Sequence, residues 1–225
     1  MGRALKKKVL ELLQSEDLEQ ALEELHRMPP RQVVNPIFSL LHHSDQNIKW
    51  SAVIAMGRIV ARLAGQDMEA ARTIMRRLMW NLNDESGGIG WGSPEAIGEI
   101  MAGNGTLAEE YHQILISYTM PEGNYLEYEW LQRGLLWGIA RLAQTRPHLL
   151  SNAVLHLPPY LESKDATVRA MAAWNMGLLR IESALPMLEL LEKDHTPVQF
   201  FIGGKVTTKQ VGELALRALE AIKRV

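Results

Sequence analysis

Apolar and small residues recur along the chain at helical spacing, and they predict a series of paired helices. Gly, Pro, Asp and Ser fall between the periodic segments, where helices are expected to start and stop. The pattern therefore predicts stacked helical hairpins. The predicted helices span residues 5–14, 16–27, 30–41, 46–64, 68–82, 94–102, 106–119, 126–144, 147–162, 166–180, 184–193 and 209–225.

One sequence frame returns in the second helix of each pair. Residues 45–59 (DQNIKWSAVIAMGRI) and 165–179 (DATVRAMAAWNMGLL) share an Asp start, an aliphatic–basic pair, small residues and a Met-Gly step. Gly57 has equivalents at spacings of 41, 40, 39 and 43 residues, which are Gly98, Gly138, Gly177 and Glu220. A period near 40 is typical of helical repeat arrays, and the small residues predict close approach of neighbouring helices.

This frame resembles the HEAT repeat, and more closely the short HEAT-like repeats of bilin lyases. The resemblance covers residues 30–225 and implies an all-α fold, a right-handed α-α superhelix (solenoid) of about five HEAT-like repeats. We expect one domain over residues 1–225, with an N-terminal helical pair over 1–28. The frame is specific for fold but nearly silent on function.

The last pair of helices is separated by a segment of different character. Residues 198–208 (VQFFIGGKVTT) alternate around Gly203 and Gly204, which predicts a small β-hairpin insert. Similar inserts followed by a V-G-E-L-A helix occur in stand-alone bacterial HEAT-like proteins, a group without an assigned activity. The resemblance therefore implies a repeat protein but no particular reaction.

Charge is unevenly distributed along the chain. Residues 78–132 contain nine acids and no Lys or Arg, although the whole chain has a net charge of only −2. The same lysine-free block carries three tryptophans and four tyrosines. Carboxylates attract cations over distance and aromatic faces bind them at contact, so this block predicts a surface for basic peptides, polyamines, methylated amines or divalent metals.

We expect the second helices to line a concave surface on which part of this block gathers. Glu95 and Glu99 lie four residues apart and therefore share a helical face, with Trp91 one turn earlier. The candidate ligand-binding residues are Trp50, Asp84, Glu85, Trp91, Glu95, Glu99 and Trp174. The alternative is structural: Glu99 and Arg58 occupy equivalent frame positions in neighbouring repeats and would simply pair. Trp80 and Trp137 are expected to pack in the core.

Residues 83–99 (NDESGGIGWGSPEAIGE) combine five glycines with four acids before a helix. Ser93 is a suitable N-cap, and Pro94 a suitable first helical residue. A helix N-terminus binds phosphate in some proteins, but no Walker motif and no base lie nearby in the sequence. The acids are hard oxygen ligands, yet no calcium-loop pattern or neighbouring His accompanies them, so neither phosphate nor metal is predicted.

Other chemistries find little support in the sequence. The chain has no cysteine and no G-x-S-x-G motif, and we expect no catalytic residues and no cofactor. The lysine-free middle argues against nucleic acid, and no apolar run approaches 18 residues, which argues against a membrane span. The N-terminus lacks the apolar stretch of a signal peptide, so a cytoplasmic location is expected.

These observations predict a non-catalytic adaptor or scaffold that binds a basic peptide or cationic group on an acidic, Trp-rich concave surface. The alternative is an enzyme or accessory factor, similar to lyases, that handles a small ligand or cofactor in the same groove. Exposed acids around an open groove would favour a protein partner. A closed pocket with a buried carboxylate would favour chemistry.

Overall fold

The computed structural model describes residues 2–83 and 90–224, except the side chain of Phe200. The chain divides into two compact units, residues 1–108 and 109–225. The prediction of one continuous repeat domain stays a prediction. No helix within the described ranges is long and apolar enough to cross a bilayer.

The regular elements described in the first unit are mainly α-helices, and α7 spans residue 108, where the unit ends. Helix α4 packs against α3, α5 and α6, so that it forms the centre of this unit. The helices are α1 (Gly2–Leu13), α2 (Leu18–Arg27), α3 (Pro30–Phe38), α4 (Gln46–Gln66), α5 (Met68–Leu82), α6 (Ser93–Gly103) and α7 (Gly105–Ser117).

The second unit is built around α9 (Ala166–Leu179), which packs against α8 (Glu129–Thr145) and α11 (Val211–Lys223). Between α9 and α11 lie α10 (Leu185–Leu191) and the strands β1 (Pro197–Ile202) and β2 (Lys205–Gln210). Buried Asn175 donates a hydrogen bond from Nδ2 to the carbonyl of Leu136 at 2.8 Å, which ties α9 to α8.

The predicted hairpin is confirmed. Strands β1 and β2 are antiparallel, and Ile202 stands opposite Lys205 across the turn. Gly203 and Gly204 form that turn with φ of 62° and 82°, a region that glycine adopts without strain. Trp137 donates from Nε1 to the carbonyl of Phe201 at 3.0 Å, so the hairpin is anchored to α8.

The helix predicted over residues 147–162 takes a different form. It consists of two 3-10 helices, Pro147–Leu155 and Pro158–Glu162, followed further on by a short one at Glu182–Ala184. Proline has no backbone N–H to donate, so two consecutive prolines at 158 and 159 interrupt a regular α-helix. The predicted α-helical geometry of this segment was therefore wrong.

Polar side chains cap α2 and α7, whereas the predicted cap of α6 by Ser93 was wrong. Asp17 caps α2 by accepting a hydrogen bond from the backbone N–H of Gln20, while the hydroxyl of Ser15 accepts one from Asp17. The α7 helix begins before Thr106, and Asn104 accepts from the N–H of Leu107. Ser93 is the first residue of α6 and no side chain caps that helix, because Gly92 with φ 79° precedes it.

Small residues bring helix backbones together in both units, as the repeat frame predicted. In the first unit Glu99 of α6 lies over Gly57 of α4, and a Cβ at that glycine would fall 2.4 Å from Glu99 Cγ. In the second unit a Cβ at Gly177 of α9 would fall 2.8 Å from Ala218 Cα of α11. The contact at Gly177 tolerates an added side chain less well than the contact at Gly57, because a backbone atom would have to move rather than a flexible side chain.

We therefore expect Gly177→Ala to lower the free energy of unfolding by about 1–3 kcal/mol, the usual cost of overpacking. Gly65→Ala is the matched control, because Gly65 lies in α4 with nothing within 4 Å of an added Cβ. That change should raise stability by up to about 1 kcal/mol through helix propensity. Urea unfolding measures both, and equal effects would contradict the close contact.

Ion pairs between arginines and aspartates also join segments of the second unit. Arg133 of α8 donates from Nε to both carboxylate oxygens of Asp165 at 3.1 Å, and Asp165 caps α9. Arg169 pairs with Asp194 at 2.6 Å. Burial alone would raise the pKa of Asp165, but hydrogen bonds from Arg133 and the backbone N–H of Val168 outweigh it and lower that pKa.

A lowered pKa in the folded state means that Asp165 stabilises the fold above its ordinary pKa of 3.8 and loses this contribution as the pH falls. Asp165→Asn keeps a cap but removes the charge, so it should cost about 1–3 kcal/mol at neutral pH. The deficit relative to wild type should begin to shrink below about pH 4, where Asp165 of the unfolded chain takes up a proton, and it disappears only once the pH falls through the lowered pKa of the folded state.

Urea unfolding between neutral pH and pH 3 measures this deficit. Asp17→Asn serves as the control, since Asp17 also caps a helix but makes no ion pair with a described residue. A deficit for Asp165→Asn that stays constant over this range would show that the charge of Asp165 does not contribute to stability.

Candidate functional site

Glu95, predicted to offer its charge to a ligand, is instead part of a buried ion pair. Only 3% of Glu95 is exposed, and Lys49 donates from Nζ to Glu95 Oε1 at 2.6 Å. The second carboxylate oxygen is buried without a hydrogen-bond partner in the described part of the chain. The ion pair joins α6 to α4. Because Lys49 neutralises Glu95, this carboxylate adds little to the attraction of a cation.

Trp50 does not present an open ring for stacking. It is 8% exposed, and Lys49 Nζ lies 4.7 Å from the centroid of its ring. Glu99 is half-buried over Gly57, and Arg58 pairs with Glu19 at 2.7 Å. The predicted aromatic and dicarboxylate cluster is therefore mostly packed between helices.

The remaining predicted residues belong to different parts of the chain. Trp91 is exposed just before α6, and Trp174 is half-buried on α9 in the second unit. Asp84 and Glu85 lie outside the described residues. Trp137 is buried as predicted, whereas Trp80 is 73% exposed, so its expected core packing was wrong.

A different part of the lysine-free block forms an open acidic cavity in the second unit. This acidic hollow has a volume of about 510 Å³. The exposed carboxylates on its walls come from the segment between α7 and α8, from the start of α8 and from the second 3-10 helix. Its charged and aromatic lining residues are Glu127, Glu129, Glu162, His156, Tyr125 and Tyr160.

Hydrogen bonds hold the wall of the hollow in place. The backbone N–H of Leu126 donates to the carbonyl of Tyr118 at 3.1 Å, which fixes the segment after α7. Buried Gln132 donates from Nε2 to the carbonyl of Leu126 at 2.8 Å and to Tyr125 Oη at 3.3 Å. The side chains of Tyr125 and Glu127 on either side of Leu126 are therefore carried on a fixed segment.

Tyr160 brings a buried hydroxyl to the hollow. It is 6% exposed, and Tyr160 Oη has no hydrogen-bond partner among the residues that the structure describes. Burial raises the pKa of Tyr160 above its usual range, and the nearby phenol of Tyr125 adds to the rise. Tyr160 is therefore neutral at physiological pH, and its hydroxyl is available to donate or accept a hydrogen bond.

The carboxylates of the acidic hollow keep their charge uncompensated. No ion pair from a described basic residue reaches Glu127, Glu129 or Glu162, in contrast to Glu95. The nearby Arg133 is already engaged by Asp165. The arrangement provides negative charge, aromatic rings and one hydroxyl on an open surface, which suits a positively charged side chain.

The carboxylates that line the acidic hollow are not the ones predicted from the sequence. Glu127 and Tyr125 belong to the lysine-free segment, but they lie before α8 and outside the repeat frame. Glu162 lies beyond that segment and had no local signal. Within the described ranges no group of three His, Asp or Glu side chains is arranged to hold a metal ion.

Comparisons with known proteins address the fold. No family model matches the chain. An uncharacterized protein from Archaeoglobus fulgidus is 25% identical over 185 residues, which is 82% of this chain and 94% of that protein.

Several solved structures with similar folds are designed or engineered proteins. A designed armadillo repeat protein in complex with the peptide (KR)4 gives a TM-score of 0.54 at 21% identity, covering 97% of this chain and 99% of that chain. A second designed armadillo repeat protein gives 0.53 at 20% identity, covering 97% and 100%. An engineered protein gives 0.56 at 19% identity, covering 97% and 98%. The chain therefore has the all-α helical-repeat fold of armadillo type that its sequence frame predicted.

Proposed function

We propose that this protein is a helical-repeat scaffold that binds a peptide segment, and that the acidic hollow receives a Lys or Arg side chain of that peptide. The observation that carries the proposal is the set of three exposed, unpaired carboxylates around a ring-lined cavity of about 510 Å³. Trp50 and Glu95 of the first unit are not part of this site, because Trp50 is buried and Glu95 is paired with Lys49.

The hollow offers contacts both to the charged group and to the aliphatic stem of a basic side chain. The carboxylates of Glu127, Glu129 and Glu162 attract the charged group and accept its hydrogen bonds, which are stronger than those between neutral groups. The ring of Tyr125 contributes cation–π attraction, and exposed Leu155 gives the aliphatic stem an apolar contact. Tyr160 Oη supplies a further acceptor at the buried side.

The openness of the hollow supports a binding function over the enzyme alternative. The three carboxylates are exposed, whereas a general acid or base is commonly buried with a perturbed pKa. Armadillo-type folds also suit peptide binding, as the designed repeat protein solved with the peptide (KR)4 illustrates for a basic ligand. That likeness concerns the fold, and the charge of the hollow supplies the argument for a basic partner.

The test is the affinity of the purified chain for a fluorescently labelled (KR)4 peptide, measured by anisotropy. A triple variant removes the charge of the hollow without changing side-chain size, with the substitutions Glu127→Gln, Glu129→Gln and Glu162→Gln. We expect it to bind about 10- to 100-fold more weakly, since each exposed charge contact contributes roughly 0.5–1 kcal/mol and 1.4 kcal/mol is a factor of ten.

A control triple variant carries the same change in net charge at exposed residues away from the hollow, with the substitutions Glu16→Gln, Glu23→Gln and Glu182→Gln. It should bind the peptide nearly as well as wild type. Equal weakening in both triple variants would show that only overall charge matters. No weakening in the hollow variant would remove the site from the proposal.

A further inference from the structure

A second cavity lies in the first unit, and its charge is opposite to that of the acidic hollow. This basic cleft has a volume of about 590 Å³, within the range of small-molecule sites. It lies among α1, α3, α5 and the start of α6. Its polar, charged and aromatic lining residues are Lys6, Asn35, Phe38, Ser39, His42, Arg77, Asn81, Trp91 and Ser93.

Among the described residues, no acid neutralises the cations of the cleft. None of the described residues that line it is acidic. Lys6, His42 and Arg77 form no ion pair with a described carboxylate, although most other arginines near α5 do. Positive charge that gathers on one cavity without a counter-charge attracts an anion.

Arg77 is held in a fixed orientation. Its Nη1 donates to Asn35 Oδ1 at 2.6 Å, and its guanidinium carbon lies 4.1 Å from the centroid of the Phe38 ring. A guanidinium that is stacked and hydrogen-bonded loses less conformational entropy when it binds a ligand. The arrangement therefore resembles a preorganised anion contact more than a free surface arginine.

The start of α6 supplies the second, independent observation. Ser93 lines the cleft, is 1% exposed, and its Oγ is buried with no hydrogen-bond partner in the part of the chain that the structure describes. No side chain caps α6, whose 11 residues begin at this serine. An uncapped helix N-terminus carries partial positive charge, and an unpartnered buried hydroxyl is costly unless a ligand satisfies it.

Tight packing brings this helix start to the cleft. Gly92 lies directly against the turn after α3, and a Cβ there would fall 2.3 Å from the carbonyl oxygen of Leu41. The contact places Ser93 of α6 beside the same turn that carries His42. Of the acids close to this helix start in the sequence, Glu95 has its charge offset by Lys49 and does not line the cleft. Asp84 and Glu85 lie outside the described residues.

We propose that the basic cleft binds a small organic phosphate. The phosphate group lies at the N-terminus of α6 and contacts Ser93, Lys6 and Arg77. The organic part of the ligand lies against the exposed ring of Trp91. Backbone N–H groups, a hydroxyl, an ammonium and a guanidinium form the usual donor set for a phosphate.

The test uses adenosine monophosphate, inorganic phosphate and adenosine as probes, measured by isothermal titration calorimetry at constant ionic strength. Saturable binding of adenosine monophosphate and its loss in Lys6→Gln, by about ten-fold or more, are the expected results. Lys8→Gln is the control, because Lys8 lies on the same helix outside the cleft. Equal affinity for adenosine and its monophosphate would overturn the proposal.

Ser93→Ala separates a ligand contact from a structural one. Because its hydroxyl has no partner, the substitution should leave the melting temperature unchanged or raised, while the affinity for adenosine monophosphate falls. A lower melting temperature with unchanged affinity would assign the hydroxyl to the fold and contradict the proposal. The triple variant of the acidic hollow should bind the nucleotide like wild type, so this test is independent of the peptide-binding function.

Discussion

Close contact between helix backbones at small residues is the constraint on which the packing of each unit depends. Gly57 lets α6 lie on α4 in the first unit, and Gly177 lets α11 lie on α9 in the second. In the first unit the buried ion pair of Lys49 with Glu95 joins the same two helices. Larger side chains at the two glycines would separate the helices and loosen the polar contacts between them.

Burial decides what each carboxylate of the lysine-free block does. A buried carboxylate needs a partner because desolvation otherwise raises its free energy, and Glu95 is accordingly paired with Lys49. Glu127 and Glu129 remain in contact with water, where an unpaired charge costs little, so their charge is available to a ligand. The same stretch of sequence therefore supplies one structural ion pair and one candidate binding surface.

The two units carry cavities of opposite charge, and each cavity is complete within its own unit. The acidic hollow is formed by exposed carboxylates beside an unpartnered tyrosine hydroxyl. The basic cleft is formed by a stacked arginine, a lysine and an uncapped helix start.

The sequence by itself determined the helical pairs, the repeat frame with its close glycine contacts, and the hairpin at Gly203 and Gly204. These features depend on local periodicity and on the backbone freedom of single residues, which are visible in a short window. Only the tertiary structure decided which charges meet. Lys49 neutralises Glu95 across 46 residues, and Lys6 and Arg77 gather beside Ser93, although no base lies near it in the sequence. Ion pairing and burial depend on contacts between distant segments, so a local pattern showed where acids were abundant but not which of them stayed open to a ligand.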